Sequence, residues 1–295
     1  MSDLAMRRPR AETGMRTCSF NARRLVRRSA LYLVLILGAV YTAMPFVWML
    51  LTSLKTHGEA LAEPPTLFPR VWHFDNYALA WRAAPFARYF LNTFFICFCV
   101  VLGVAITSML AGYAFARMRF YGRNVIFVML LTTLMIPFET IIIPNFITIK
   151  RLHWLNSYPA LIVPWLASVF SVFLLRQFIS QLPQELFDSA ELDGAGHVRM
   201  LWSIVLPLCR GPLAAVMLFA FLGSWNSLLW PLIVTNSQSI RPIQLGLTVF
   251  IGEAGNDPHL LMAASAFTIA PIVLLYFRAQ RQFMEGFASS GIKGG

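Results

Sequence analysis

Charge is what this chain has least of. Only 13% of its 295 residues are charged, against roughly 25% for an average soluble domain, while 58% are hydrophobic and the mean hydropathy is +0.64. The shortage is concentrated in windows at residues 29–54, 89–116, 124–138 (resuming past Glu139 to 149), 154–175, 211–240 and 260–277. A membrane-crossing helix needs roughly 20 predominantly apolar residues. The six windows therefore predict six transmembrane helices, and one soluble core could not bury them all. A water-soluble globular protein is excluded.

Chemistry-bearing patterns are missing too. No GxxxxGK[ST] phosphate loop occurs, so ATP is not bound here by that route. HExxH, GxSxG and CxxC are also absent, and His57, His73, His153, His197 and His259 are scattered without metal-ligand spacing. The four cysteines, Cys18, Cys97, Cys99 and Cys209, fall in the N-terminal tail and in or beside apolar windows, which predicts free thiols. Cys97 and Cys99, two apart, face different sides of a helix and make no metal pair. The sequence predicts no catalytic site, metal site or cofactor in this chain.

Acid is scarce relative to base: the formal net charge is +11. Arg7, Arg8, Arg10, Arg16, Arg23, Arg24, Arg27 and Arg28 precede the first window, which places that tail in the cytoplasm by the positive-inside rule. Six spans return the C-terminus, with Arg278, Arg281 and Lys293, to the same side, and most of the 24 basic residues fall there. Lys150 and Arg151 lie on the opposite side without changing the balance. The basic excess reads as topology and lipid-headgroup contact, not as nucleic-acid binding. Ala60-Leu61-Ala62 resembles a signal-peptidase site, but the apolar run before it is too long for a signal peptide, so the first helix is expected to be retained.

The most informative segment is a polar interruption between apolar windows, residues 181–207, with Glu185, Asp188, Glu191 and Asp193. Pro183 suits a first helical turn, and the acidic residues after it suit the positive end of the helix dipole. Leu182, Leu186 and Ala190 form an apolar stripe, and Gly194 can supply a left-handed cap. Val198, Leu201, Trp202 and Val205 repeat at helical spacing and predict a second amphipathic helix entering the membrane. The plainer reading of such an element is a solvated interfacial loop.

Spacing argues otherwise. Asp188-Ser189-Ala190, three residues, Gly194, nine residues, Ile204, one residue and Leu206-Pro207 reproduce the frame EAA-x3-G-x9-I-x-L-P, with Asp for Glu and Ser for Ala. The segment resembles the signature loop of permease subunits of binding-protein-dependent ABC importers. FLNTFF and AGYAFARMRF within residues 90–120, Met135-Ile136-Pro137, Ile143-Pro144, Arg176-Gln177-Phe178, Gly223-Ser224-Trp225-Asn226, Trp230-Pro231 and the tail from Gln282 to Phe287 are similar to the second permease of the maltose-type carbohydrate-uptake branch. The arginine tail lies outside the similarity.

The resemblance implies an all-α integral membrane protein of six transmembrane helices in a bacterial or archaeal cytoplasmic membrane, with both termini cytoplasmic. Residues 1–28 would be a basic tail and 29–295 the transmembrane domain. It implies a coupling helix between spans four and five, with Glu185, Asp188, Ser189, Ala190, Glu191, Asp193, Gly194, Ala195, Ile204, Leu206 and Pro207 as the ATPase-coupling residues. It also implies a heterodimer with a second permease, two ATP-binding subunits that hold ATP and Mg, and an extracytoplasmic solute-binding protein. The function expected is import of a sugar or related solute by alternating access, with a glycerol-phosphate or polyol importer of the same architecture as the alternative. A stand-alone secondary transporter would require inverted repeats, and none is visible.

Glu139 between Pro137 and Pro144, Trp225 and Asn226 are candidate pathway residues. Helix packing is the competing role for Trp225, and an interfacial position for Glu139. Trp230 suits an aromatic belt. Gly103, Thr107 and Ala111 read as a small-residue helix contact, and residues 235–259 as a long flexible loop able to reach the binding protein.

Overall fold

The computed structural model describes residues 22–252 and 255–291, and side chains only within 27–252 and 256–277. Most of the basic tail, Cys18 and Lys293 lie outside the described residues. Helix α1 (Ala22–Thr52) begins before the predicted tail ends, so residues 22–28 are helical. It accounts for the described part of one unit, residues 1–48; residues 49–295 form the other.

Here α2 (Asn76–Ala83) leads to the long α3 (Phe86–Arg117). Next come α4 (Arg123–Thr133), α5 (Phe138–Arg151), α6 (Tyr158–Ile162) and α7 (Val169–Ser180). The polar loop forms α8 (Gln184–Leu192) and α9 (His197–Met200). The chain then continues through α10 (Arg210–Trp225), α11 (Leu229–Val234), α12 (Ile243–Gly246) and α13 (Pro258–Gly291). Two short strands, Ile251–Gly252 and Gly255–Asn256, pair antiparallel ahead of α13.

Four stretches are long and apolar enough to cross a membrane: Arg27–Thr52, Phe86–Arg117, Tyr158–Ser180 and Pro258–Phe277. The third predicted window is not a single rod, and the fifth is entered through a sharp bend. α4 and α5 meet at 99°, and the segment His197–Leu208 meets α10 at 83°. Proline accounts for both bends. Pro137 holds an extended ψ of 144° just before α5 and also restricts Ile136. Pro212 lacks the N–H that would bond back to Leu208, which ends the first helix beside Cys209. The 211–240 window is further cut at Asn226, where α10 stops.

α3 is the spine against which α7 and α10 pack. Gly112 permits the α7 approach, since a Cβ there would stand 3.1 Å from Leu175 Cβ and 3.2 Å from Arg176 N. At Gly103 a Cβ would strike Leu166, and the Thr107 hydroxyl donates to Leu166 O at 2.8 Å. The small-residue face is thus a packing surface, with Gly112 rather than Ala111 at the tightest backbone approach.

The stretch expected to be a free loop, 235–259, is mostly folded down. Ile240, Ile243, Leu245 and Phe250 are buried. Asn92 Nδ2 donates to Ser239 O and Arg241 O, both at 3.0 Å, and Ile243 N donates to Thr93 Oγ1 at 2.8 Å. These bonds pair backbone groups that a buried loop would otherwise leave unsatisfied. Cys97, Cys99 and Cys209 are free thiols, as expected.

Candidate functional site: a gripped polar helix and a cavity on one spine

The 181–207 element has the helix–glycine–helix form that its letters suggest, with differences in detail. Pro183 is the residue before the helix (φ −56°, ψ 135°), not a member of its first turn. At the other end Gly194 takes φ +75°, Gly194 N donates to Glu191 O at 3.0 Å and Ala195 N to Ala190 O at 2.9 Å. This pair of bonds is a Schellman cap, which satisfies carbonyls the helix would otherwise leave open. Within α8, Gln184 Nε2 donates to Asp188 Oδ1 at 2.8 Å and the Ser189 hydroxyl to Glu185 O at 2.7 Å.

Exposure divides the element into two faces. Glu185, Asp188, Ser189, Glu191, Asp193, Gly194 and Pro207 are exposed, whereas Ala190, Ala195, Ile204 and Leu206 are half-buried against the main apolar cluster. The apolar anchor is Phe187, 5% exposed and outside the expected Leu182–Leu186–Ala190 stripe. Leu192, at the tip, is 90% exposed. The second expected stripe also splits: Leu201 and Val205 are buried while Val198 and Trp202 face outward. The cause is a π-turn over Leu201–Val205, where Leu206 N reaches back five residues to Leu201 O and the 3.6-residue period fails.

What the loop's own letters do not show is the group that holds it. Arg117, in the last turn of α3, donates to Ile179 O at 2.8 Å, Leu182 O at 2.5 Å and Gln184 Oε1 at 2.8 Å. Its guanidinium also lies 4.0 Å from the centre of the Phe187 ring. One side chain thereby closes the end of α7, ties down the start of α8 and stacks on its anchor, a use suited to the planar, five-donor guanidinium. One turn back on α3, Tyr113 OH lies 3.0 Å from His197 Nδ1, at the start of α9, and donates to Met200 Sδ at 3.7 Å. A spacing of four residues puts both grips on one face of α3.

Toward its other end, the same helix walls a cavity of about 440 Å³. Thr93, Ile96, Val100 and Val104 of α3 line it with Trp165, Ser168, Phe170, Ser171, Phe219, Ser224, Ser227 and Trp230. The hydroxyls gather where helices are interrupted. Ser168 opens α7 by accepting from Ser171 N at 3.2 Å, and Ser227 lies in the gap between α10 and α11. Irregular backbone at membrane depth is tolerated where it lines a cavity. Val100, Val104, Leu161 and Trp230 belong both to the cavity wall and to the apolar cluster that holds Phe187, Met200 and Val205.

The three pathway candidates lie away from this lining. Glu139 is exposed in the first turn of α5. Trp225 is 1% exposed and packs among Phe90, Phe94 and Phe221. Asn226 donates to Leu222 O and accepts from Gln244. Trp230 is not in an exposed belt: it is 2% exposed, and its indole donates to Ala160 O at 2.8 Å.

Comparison with known proteins agrees with this architecture. Residues 103–286 match the family described as "Binding-protein-dependent transport system inner membrane component". The arabinooligosaccharides transport system permease protein AraQ of Bacillus subtilis is 34% identical, over 91% of this chain and 97% of its own. The sn-glycerol-3-phosphate transport system permease protein UgpE of Yersinia enterocolitica is 34% identical over 88% and 95%. The diacetylchitobiose uptake system permease protein NgcG of Streptomyces coelicolor is 34% identical over 88% and 86%. Among solved structures, a chain of a bacterial ABC transporter involved in the import of the acidic polysaccharide alginate shares the fold. It superposes with a TM-score of 0.77 at 20% identity, covering 89% of this chain and 98% of that one.

Proposed function

The chain belongs to the family of binding-protein-dependent transport system inner membrane components, and from that premise we propose that it imports a sugar or related solute as one half of a permease pair. It is a multi-pass membrane transport subunit of the ABC importer class, not an enzyme. The observation that carries the proposal is mechanical. A capped, acidic helix stands on the surface, Arg117 fixes it to the helix that walls the cavity, and Tyr113 fixes the α9 turn that follows it.

In the proposed assembly each bent pair of helices is one span, giving six spans with both termini in the cytoplasm. The membrane is a bacterial or archaeal cytoplasmic membrane. A second, different permease completes the translocation path, two ATPase subunits bind ATP and Mg, and an extracytoplasmic binding protein delivers the solute. α8 seats in an ATPase cleft, where Leu192 supplies the apolar contact and Glu191 and Asp193 the charged rim. Closure of the ATPases then moves α8, and Arg117, with Tyr113 on the adjoining α9, passes that movement to α3. A decisive shift between inward and outward states takes roughly 5 kcal/mol of differential binding. A helix braced at both ends can transmit that where a loose loop cannot.

The cavity supports the sugar reading. Serine hydroxyls beside Trp165, Phe170 and Phe219 suit a polyhydroxylated ring, with stacking and hydrogen bonds together. Among the described residues, those lining the cavity include no Lys or Arg, the groups that recognise phosphate. This favours a sugar over a glycerol phosphate. Vesicles holding the complete transporter and its binding protein should take up an oligosaccharide only with ATP. Uptake without ATP would overturn the importer reading, and uptake of sn-glycerol 3-phosphate alone would overturn the sugar reading.

A further inference from the structure

Histidines that the sequence scatters 202 positions apart meet in the fold. His57 opens a single helical turn after α1, and His259 lies in the first turn of α13. Their rings stand 5.5 Å apart at 74°, and His57 Nδ1 is 3.1 Å from Asp257 Oδ1. One donor atom from each of His57, Asp257 and His259 lies within 4.8 Å of the other two. We propose that these three residues bind a borderline divalent cation of the Zn2+ class.

Donor chemistry, burial and support all favour it. Two imidazoles and one carboxylate are the set that Zn2+ and its neighbours prefer, whereas Ca2+ and Mg2+ require oxygen. Zinc bonds of 2.0–2.1 Å at tetrahedral angles separate donors by ~3.3 Å, close to the His57–Asp257 spacing. His259 is only 8% exposed, and its Nδ1 has no hydrogen-bond partner among the described residues, so an ion pair between His57 and Asp257 leaves the third side chain unexplained. Both segments are held in place beforehand. Thr56 caps the His57 turn through Glu59 N at 3.2 Å, Asp257 N donates to Phe250 O at 3.2 Å, and Leu261 N returns to Asp257 O at 2.9 Å. His57 and Asp257 are each about half exposed, which leaves a way in and a fourth position for water.

The bound ion joins the segment after the first helix to the start of the last. On the topology proposed above this join is on the extracytoplasmic face, where the binding protein arrives. The full chain, purified and stripped with chelator, is titrated with Zn2+ by calorimetry and with Co2+ by visible absorption. The expected result is one ion per chain, with at least about tenfold weaker binding in His57→Ala and Asp257→Asn. The Co2+ ligand-field band should fade in the same variants. Both substituted side chains are themselves about half exposed, and His153→Ala serves as a control that leaves binding unchanged. Binding in the native chain no tighter than in His57→Ala, an equal loss in His153→Ala, or displacement of the ion by equimolar Ca2+ would each overturn the site.

Discussion

The two ends of α3 are built by opposite means. At the Arg117 end the exposed element is a regular helix closed by one glycine cap. At the cavity the working surface is made where regular helices stop, with hydroxyls drawn from the interruptions before α7 and after α10. On the proposed reading the first construction supplies stiffness for transmitting a push and the second supplies polar groups for a solute. Both rest on one helix, and on the proposed reading coupling turns on what fixes α8 to α3.

Breaking the stiff end should have the largest effect. Gly194→Pro cannot adopt φ +75° and removes the N–H bonded to Glu191 O. The expected outcome is a chain that still inserts, retains ATPase stimulation in the assembled transporter and loses most of its uptake. Simultaneous assays of hydrolysis and transport in vesicles check this. Arg117→Ala should follow, costing roughly 2–4 kcal/mol through two uncapped carbonyls and the lost Phe187 contact. It should read as a lowered melting midpoint and a fall in solute moved per ATP, with Arg117→Lys restoring little of either because a lysine cannot bridge three acceptors in one plane.

Smaller effects sharpen the contrast. Tyr113→Phe removes the hydroxyl that meets His197 and Met200 and should cost about 0.5–1.5 kcal/mol, seen as a modest drop in melting midpoint with uptake reduced but present. At the cavity, Ser171→Ala should raise the KM for uptake a few-fold without altering the ratio of transport to hydrolysis. Glu139→Gln, exposed and outside the lining, should change uptake least of all.

Legibility followed range. The α8 cap could be read because Gly194, Glu191 and Ala190 are neighbours in sequence and the αL position favours glycine. Arg117 could not be assigned its role from the loop, since its three acceptors lie 62 to 67 residues away. Val198 and Trp202 were misplaced on an apolar face because helical spacing assumes a 3.6-residue period, and the π-turn at Leu201–Val205 abolishes it. Hydrophobic windows fell on the four helices long and apolar enough to cross a membrane and on the two bent pairs, but did not show the bends, which depend on how Pro137 and Pro212 are accommodated by packing. Trp225 and Asn226 drew attention as a polar–aromatic pair, while the cavity took the neighbouring Ser224 and Ser227 instead. Which face of α10 meets the cavity is settled by α3 and α7, not by α10 itself.

The central claim, that α8 is the contact with the ATPase and that Arg117 holds it there, is tested most directly by crosslinking. A cysteine placed at Leu192 in the assembled transporter should join the ATPase subunit in high yield, and the yield should fall when Arg117→Ala is added. Equal yield with and without Arg117 would contradict the grip, and crosslinking only to lipid or to a second copy of this chain would contradict the contact itself.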